Sequence, residues 1–423
     1  MNNIETVILN SDEMRRNLAA RNMTLDLDTL LASYDLYKNT KQRYEQLRAE
    51  SNKITDSLQQ TTEVVRRTEL IQAAKKNKLL LAELKPAVDD AAQIYTALLA
   101  QLPNWTSPDV PLGHSDADNQ ILHVVGQPSR FNFAVKDHVE MGKLHDIIDF
   151  DAGAKVAGSK FYFLRREAVL LQHALKSYVF EKCMAAGFIP LSTPDVAHDH
   201  ILQGVGFSPR GDESNTYQLQ GLDKSLIATA EICVGGMHAN EIIAGPSLPL
   251  MYVAESHCFR REAGAAGQSS KGLYRVHQFE KIELFILCAP EDSERLHDQL
   301  LALQEDIYQG LGIAYRVVLN CTGDLGAPAF KKYDVEAWMP GKGAGEYGEI
   351  TSASNCTDYQ ARRLNIRYRP SPASKPQYLH TLNGTAMALG RTMVAIMENF
   401  QCADGSFRIP EALWKYLPFN KVG

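Results

Sequence analysis

The stretch FRREAGAAGQSSKGLYRVHQFEKIEL, residues 259–284, concentrates charge inside what otherwise reads as buried sheet. Met251 to Phe259 is an apolar, β-prone run and Lys281 to Cys288 is another, so the pattern predicts strand, glycine-rich loop, strand: a hairpin. Side chains alternate across a strand. On the second one Arg275, His277, Phe279, Lys281 and Glu283 therefore share one face, and Val276, Ile282 and Leu284 share the other. At ~3.4 Å per residue, Phe279 and Glu283 lie about 13 Å apart. An aromatic shelf for a base at one end and a carboxylate for an amine or hydroxyl at the other span the length of an aminoacyl adenylate. The plain alternative is an edge hairpin whose charges face water.

Working outward, the first hundred residues carry helical periodicity. Leu27, Leu30, Tyr34, Tyr37, Tyr44, Leu47, Ile54 and Leu58 recur at three- and four-residue steps, with Lys41 and Ser51 filling two gaps. Leu70, Ala74, Asn77, Leu81, Leu84, Val88, Ala91, Tyr95, Leu98 and Leu102 keep a stricter 4-3 alternation, the seam of an antiparallel coiled coil. Pro86 predicts a local kink. Two helices of about 32 residues would each be roughly 48 Å long, so the pair should form an arm. Lys53, Arg66, Arg67, Lys75, Lys76 and Lys78 make its distal part basic, which suits either a solvated helical face or nucleic acid.

Leu102 to Asn119 is rich in proline, glycine and aspartate and reads as a linker. The expected division is a helical arm over 1–112, with the coiled coil at about 27–102, and a second domain over 113–423. That domain mixes short strands with helices. One helix is expected over Gly158 to Ala186, followed by a strand at Gly187-Phe-Ile-Pro-Leu, and a last helix over Leu382 to Glu398. The class is α+β with a mixed or antiparallel sheet.

A chain of 423 residues that is 45% hydrophobic can bury a sizeable core. A net charge of −6 gives no global reason to bind nucleic acid, so such a partner would be held by local basic surface. The seven cysteines form no CxxC pair, which speaks against a disulfide framework or a zinc site and for a reducing compartment. No apolar run of about 18 residues is present, so no membrane segment is expected. The N-terminus, with Glu5, Asp12 and Glu13, is unlike an acid-poor transit peptide. A cytoplasmic protein is expected, with a processed form in the mitochondrial matrix left open.

The familiar nucleotide signatures GxxxxGK[ST] and GxGxxG are missing, and Gly341-Lys-Gly-Ala-Gly345 reads as a turn between strands. Other residues offer the chemistry. Arg391 is the lone cation in an apolar neighbourhood and must meet an anion; Glu398, two turns on, is the intramolecular alternative. Glu349 and Ser352 stand in a strand-like stretch and suit a hard cation that bridges phosphates. Thr229 and Glu231 supply a hydroxyl and a carboxylate at a strand end, where capping residues are also common.

Together these segments resemble the class II aminoacyl-tRNA synthetases. The hairpin with Arg260 and Arg275 is similar to motif 2, the helix bearing Arg391 to motif 3, and Gly187-Phe-Ile-Pro-Leu-Ser-Thr-Pro194 to motif 1 with its interface proline. Thr229-Ala-Glu231, FRREAG at 259–264, GLYRVHQFEKIEL at 272–284, SNCTDYQARR at 354–363 and HTLNGT at 380–385, with the N-terminal arm, resemble the seryl-tRNA synthetase family over nearly the whole chain.

That resemblance implies ATP-dependent ligation of L-serine to tRNA(Ser) through a seryl adenylate, with tRNA(Sec) open as a second acceptor. Arg260 would clamp the α-phosphate and the serine carboxylate. Glu262 would accept from the adenine amino group, Phe279 would stack on the ring and Arg275 would line the ATP site. Glu349 and Ser352 would hold Mg²⁺, and Arg391 would meet the γ-phosphate. Thr229, Glu231 and Glu283 would receive the serine ammonium, Glu283 and Thr385 would read its hydroxyl, and Asn383 would line the pocket. Arg260, Glu349 and Arg391 would carry catalysis. The arm, through Lys53, Arg66, Arg67, Lys75, Lys76 and Lys78, would lie along the long variable stem of the tRNA, and residues 263–271 would touch its acceptor stem. The family also implies a homodimer. Two departures stand out: Gly348 occupies a place where most bacterial members carry arginine, and Ile232-Cys-Val-Gly-Gly236 is unusual. The rival reading is a synthetase-like paralogue that activates serine for another carrier, or binds without catalysis.

Overall fold

In a computed structural model, residues 3–207, 215–262 and 271–423 are described. The chain divides into two compact units, Met1–Pro103 and Asn104–Gly423. The cut falls nine residues ahead of the expected 112/113 boundary, because linker residues such as Asn104 bond within the second unit. The Asn104 amide donates to the carbonyls of Pro328 and Cys356 at 2.9 and 2.8 Å.

In the first unit, two short helices lead to a 34-residue helix, Leu27–Gln60, and a 38-residue helix, Val64–Gln101. At ~1.5 Å per residue these are about 51 and 57 Å long. Asp26 caps the first, accepting from the Asp28 amide at 3.0 Å. The seam positions from Leu70 to Leu102 are all half-buried or buried, as packing one stripe against an antiparallel partner requires, although Leu99, next to the expected Leu98, is the deeper of that pair. Tyr95 stands 5.2 Å from Tyr34 and 5.5 Å from Tyr37, and burial pushes its phenol up to about 12. On the first helix the gap after Tyr37 is filled by half-buried Thr40; Lys41, expected there, is exposed. The second helix continues through Pro86.

The second unit is built on eight strands: β1 Gln120–Val125, β2 Ile189–Ser192, β3 Leu250–Phe259, β4 Gln278–Cys288, β5 Tyr315–Leu319, β6 Lys331–Met339, β7 Glu346–Asn355 and β8 His380–Ala388. Their order is β1-β5-β6-β7-β8-β4-β3-β2. All neighbours are antiparallel except β2 and β3. The hairpin is present, with Phe259 opposite Gln278 and Leu250 opposite Leu287.

Alternation along β4 explains its two faces. Ile282, Leu284, Ile286 and Cys288 enter a core covered by the helices Glu167–Ala185, Ser293–Gly310 and Leu389–Asn399. Phe285 and Leu287 enter a second core under Asp199–Val205, Ala230–Met237 and Tyr359–Leu364. Each fully buried side chain of this size stabilises by roughly 1.5–3 kcal/mol, so the hairpin's register is firmly fixed. The unusual glycines 235 and 236 belong to the second core. A Cβ on Gly236 would come within 2.5 Å of Ile201 Cγ2, so glycine lets two helices approach closely.

Three expectations are corrected. The helix predicted over Gly158–Ala186 begins only at Glu167, because Phe163–Leu164 pairs with Ile148–Asp149 and Arg166, at φ +49°, breaks the helical path. The helix predicted over Leu382–Glu398 is two elements: residues up to Ala388 form β8 between β7 and β4, and the helix is Leu389–Asn399. Arg275 and His277 precede β4, which begins at Gln278. They therefore do not share its alternation.

Candidate active site

The site forms where the second core stops and the same sheet face opens. Arg260 follows β3, and its amide donates to the His277 carbonyl at 2.9 Å while His277 Nδ1 bonds the Arg260 carbonyl at 2.9 Å, closing the neck of the hairpin. The guanidinium lies 5.3 Å from the Phe279 ring centre, and its Nη2 donates to the Ala228 carbonyl at 3.5 Å. Its Nε is buried with no partner among the described residues, as a donor waiting for an oxyanion would be. Arg275 donates to Glu262 at 2.5 Å.

Arg391 comes from the first turn of Leu389–Asn399. It donates to the Glu349 carboxylate at 3.1 Å and to the Glu349 carbonyl at 2.9 Å, and it rests 4.7 Å above Tyr274. Partial burial, which would raise the Glu349 carboxyl, is outweighed by Arg391 and Lys332, and the group is held below its ordinary range. Glu398 is not the partner of Arg391. It accepts from the Gly341 amide at 2.9 Å and bonds His138 Nδ1 at 2.8 Å.

Arg260, Glu262, Arg275, Phe279, Glu349, Ser352, Thr385 and Arg391 line one cleft of about 330 Å³. The other expected small-molecule residues are buried around one another. Thr229 caps the helix Ala230–Met237, accepting from the Glu231 amide at 3.4 Å, so it stands at a helix start as well as after a strand. Glu231 Oε1 accepts from Asn383 at 2.8 Å and from Gln360 at 2.6 Å. Thr385 lies opposite Glu283 in the β8–β4 register and donates to it at 3.4 Å. Burial, then neighbouring Glu283, pushes the Glu231 carboxyl up to about 7, against the bond from Gln360 and the charges of Lys281 and Arg260. Small, deep and edged by carboxylates, this end can hold an ammonium and a hydroxyl; the open end, edged by guanidinium groups and Phe279, can hold a nucleotide.

Two family descriptions match: the seryl-tRNA synthetase N-terminal domain over residues 1–106, and the tRNA synthetase class II core domain (G, H, P, S and T) over residues 217–400. The serine–tRNA ligase of Treponema denticola is 49% identical over 414 residues, 98% of each chain. The chain belongs to the seryl-tRNA synthetase family. A solved seryl-tRNA synthetase from Pyrococcus horikoshii complexed with ATP aligns with a TM-score of 0.91 at 38% identity, covering 100% of this chain and 99% of that one. The cytoplasmic serine–tRNA ligase of Naegleria fowleri in complex with AMP aligns at 0.82 and 30% identity, covering 97% and 95%.

Against this seryl-tRNA synthetase frame, several polar residues stand at the site with no role drawn from the sequence. Lys281 pairs with Glu283, and both are buried; strand alternation had put them on one face without assigning Lys281 a task. Lys332 lines the cleft and donates to Asp334 at 3.1 Å, and Tyr274 lies beneath Arg391. Gln360 is fully buried, and only the wording around 354–363 hinted at it. Residues 263–270 lie outside the described residues; Lys271, which follows them in the chain, pairs with Asp137.

In the first unit, Lys53, Arg66, Arg67, Lys75, Lys76 and Lys78 are all exposed. Arg66 pairs with Glu69 at 2.9 Å, and Arg67 donates to the Leu58 carbonyl at 3.2 Å, tying the hairpin tip. Among the described residues, exposed His198, His200 and Asp223 bring ligand atoms within 4.8 Å of one another, a grouping the cysteine-based argument against zinc did not consider. No described helix is long and apolar enough to cross a membrane.

Proposed function

We propose that the protein joins L-serine to tRNA(Ser) at the expense of ATP, through a seryl adenylate formed in the cleft at the end of β3 and β4. The serine carboxylate displaces pyrophosphate from the α-phosphorus, and a terminal tRNA hydroxyl then takes the acyl group and releases AMP. The observation that carries this is the gathering of Arg260, Phe279, Glu349 and Arg391 in one cleft, beside a buried cluster of Glu231, Glu283 and Thr385. Five cations and two carboxylates line that cleft, which favours a triphosphate.

Phe279 stacks on adenine and Glu262 accepts from its amino group, with Arg275 beside them. Arg260 grips the α-phosphate and the serine carboxylate, aligning the carboxylate oxygen for in-line attack and stabilising charge at phosphorus. Arg391 meets the γ-phosphate. Thr229, Glu231 and Glu283 receive the ammonium; Glu283 and Thr385 read the hydroxyl, and Asn383 lines the pocket. The donor set of Glu349, whose side chain is 43% exposed, and Ser352 suits Mg²⁺, a hard cation that takes oxygen ligands. When bound there, the ion would neutralise phosphate charge.

The exposed cations of the helical hairpin would lie along tRNA phosphates, and the catalytic unit would work as a homodimer. Serine activation for another carrier is the second reading; the basic residues of the helical hairpin favour tRNA as the acceptor. The bacterial relative named above favours the cytoplasm over a mitochondrial site. Charging of tRNA(Ser) with labelled serine, set against alanine and threonine, tests the proposal. Charging no faster with serine than with alanine would sink it.

A further inference from the structure

Glu231 has to do something that its surroundings oppose. A carboxylate 7% exposed, with Glu283 close by, is driven toward its neutral form, and a neutral carboxyl is a poor seat for an ammonium ion. The groups that face it are Glu283 and Lys281 from β4, Arg260 after β3, Asn383 from β8, and Gln360.

Gln360, on the helix Tyr359–Leu364, is 0% exposed and uses its whole amide. Its Nε2 donates to Glu231 Oε1 at 2.6 Å and to the Val205 carbonyl at 3.0 Å, and its Oε1 accepts from Thr381 Oγ1 at 2.7 Å. The amide cannot flip without cost, because the Val205 carbonyl only accepts and so the nitrogen must face it. Nε2 is thereby aimed at Glu231 and can only donate, which favours the ionised carboxylate. Asn383 donates to the same Oε1. Both protein donors thus sit on one oxygen, and Oε2 takes no hydrogen bond from a described side chain.

We propose that Gln360, oriented by Thr381 and Val205, is the positioning residue that keeps Glu231 ionised and turns Oε2 toward the ammonium group of the amino-acid substrate. This rests on the reading of the site as a serine pocket. Gln360 touches no substrate; it acts through Glu231.

The test is serine-dependent ATP–pyrophosphate exchange by the full-length protein across a pH series from about 6 to 9, for wild type, Gln360→Met and Thr381→Val. In wild type the KM for serine should rise as pH falls through the Glu231 titration. Losing the Gln360 donor raises that titration further, so in Gln360→Met the rise should begin at higher pH. The KM for serine should grow by roughly ten- to a hundredfold, as for a lost hydrogen bond to a charged group, with the KM for ATP within about twofold. Thr381→Val, which removes only the hydroxyl that orients the amide, should move the same two readouts in the same direction by less, and it carries the test if Gln360→Met does not fold. An unchanged serine KM, an unmoved pH profile, or equal losses toward serine and ATP would overturn the inference while leaving the serine-pocket reading intact. A wild-type protein without serine-dependent exchange would overturn that reading, and the inference with it.

Discussion

Replacing Gly348 tests how the floor of the proposed ATP cleft, where Tyr274 lies beneath Arg391, is built. Gly348 lies on β7 opposite Ala337, and a Cβ placed there would come 2.9 Å from Tyr274 Oη, 3.2 Å from Tyr274 Cε2 and 3.1 Å from Met339 Sδ. Tyr274 holds Arg391 in two ways: its ring lies 4.7 Å below the guanidinium, and its carbonyl accepts from Arg391 Nε at 3.3 Å. Carbon atoms at rest stand about 3.5–4.0 Å apart, so even alanine must push the tyrosine back by roughly half an ångström. Overpacking of this kind costs about 1–3 kcal/mol, and part of a cation–π contact worth about 0.5–2 kcal/mol goes with it. Gly348→Ala should raise the KM for ATP by roughly five- to a hundredfold and leave the KM for serine nearly unchanged. Gly348→Arg should do more damage. An arginine at position 348 needs the space that the Tyr274 ring fills. The double variant Gly348→Arg, Tyr274→Leu should therefore recover much of the loss. Pyrophosphate exchange on all four proteins of the cycle gives the coupling energy. If the two substitutions simply add, Tyr274 does not occupy the space that Gly348 leaves, and the reasoning fails.

Arg260→Ala should lower serine-dependent pyrophosphate exchange on the order of 10²- to 10³-fold, as for loss of a group aimed at transition-state charge; undiminished exchange would refute the role given to it. Thr385→Val leaves the buried Glu283 without its hydroxyl donor. The preference for serine over alanine in exchange should then fall by about tenfold or more, and an unaltered preference would place hydroxyl recognition elsewhere. Removing the paired helices between Leu27 and Leu102 should spare adenylate formation and abolish tRNA charging, and charging at the parental rate would refute their role. Reversing Lys75, Lys76 and Lys78 to glutamate should weaken tRNA binding and flatten its dependence on salt, measured by filter binding at several ionic strengths.

Local pattern was most informative where each residue's fate depends on its near neighbours. The seam from Leu70 to Leu102 could be read because a helix repeats its burial every turn, and the β4 faces because a strand alternates. Failures came where a distant partner decides. Asn383 and Thr385 join a strand only because β7 and β4 flank it, while Leu389, Met393 and Ile396, at helical spacing, belong to the helix that begins only at Leu389. Phe163–Leu164 is extended through pairing with a segment some fifteen residues earlier. The intramolecular alternative for Arg391 was Glu398 on its own helix, yet its carboxylate partner lies on β7. Lys281 and Gln360 escaped because buried polar residues break the apolar periodicity on which such reading relies; only three-dimensional neighbours show what a buried lysine or glutamine is for.

The five cations around the cleft belong to a chain whose net charge is −6. The net charge therefore repels a nucleoside triphosphate at a distance while the cleft attracts it, and a concave low-dielectric wall concentrates field lines. Capture of the two small substrates should then differ in kind. The arrival rate of the polyanion is governed by long-range attraction and falls as added salt shortens the screening length, whereas zwitterionic serine, with no net charge to steer, arrives at a rate that ionic strength hardly touches.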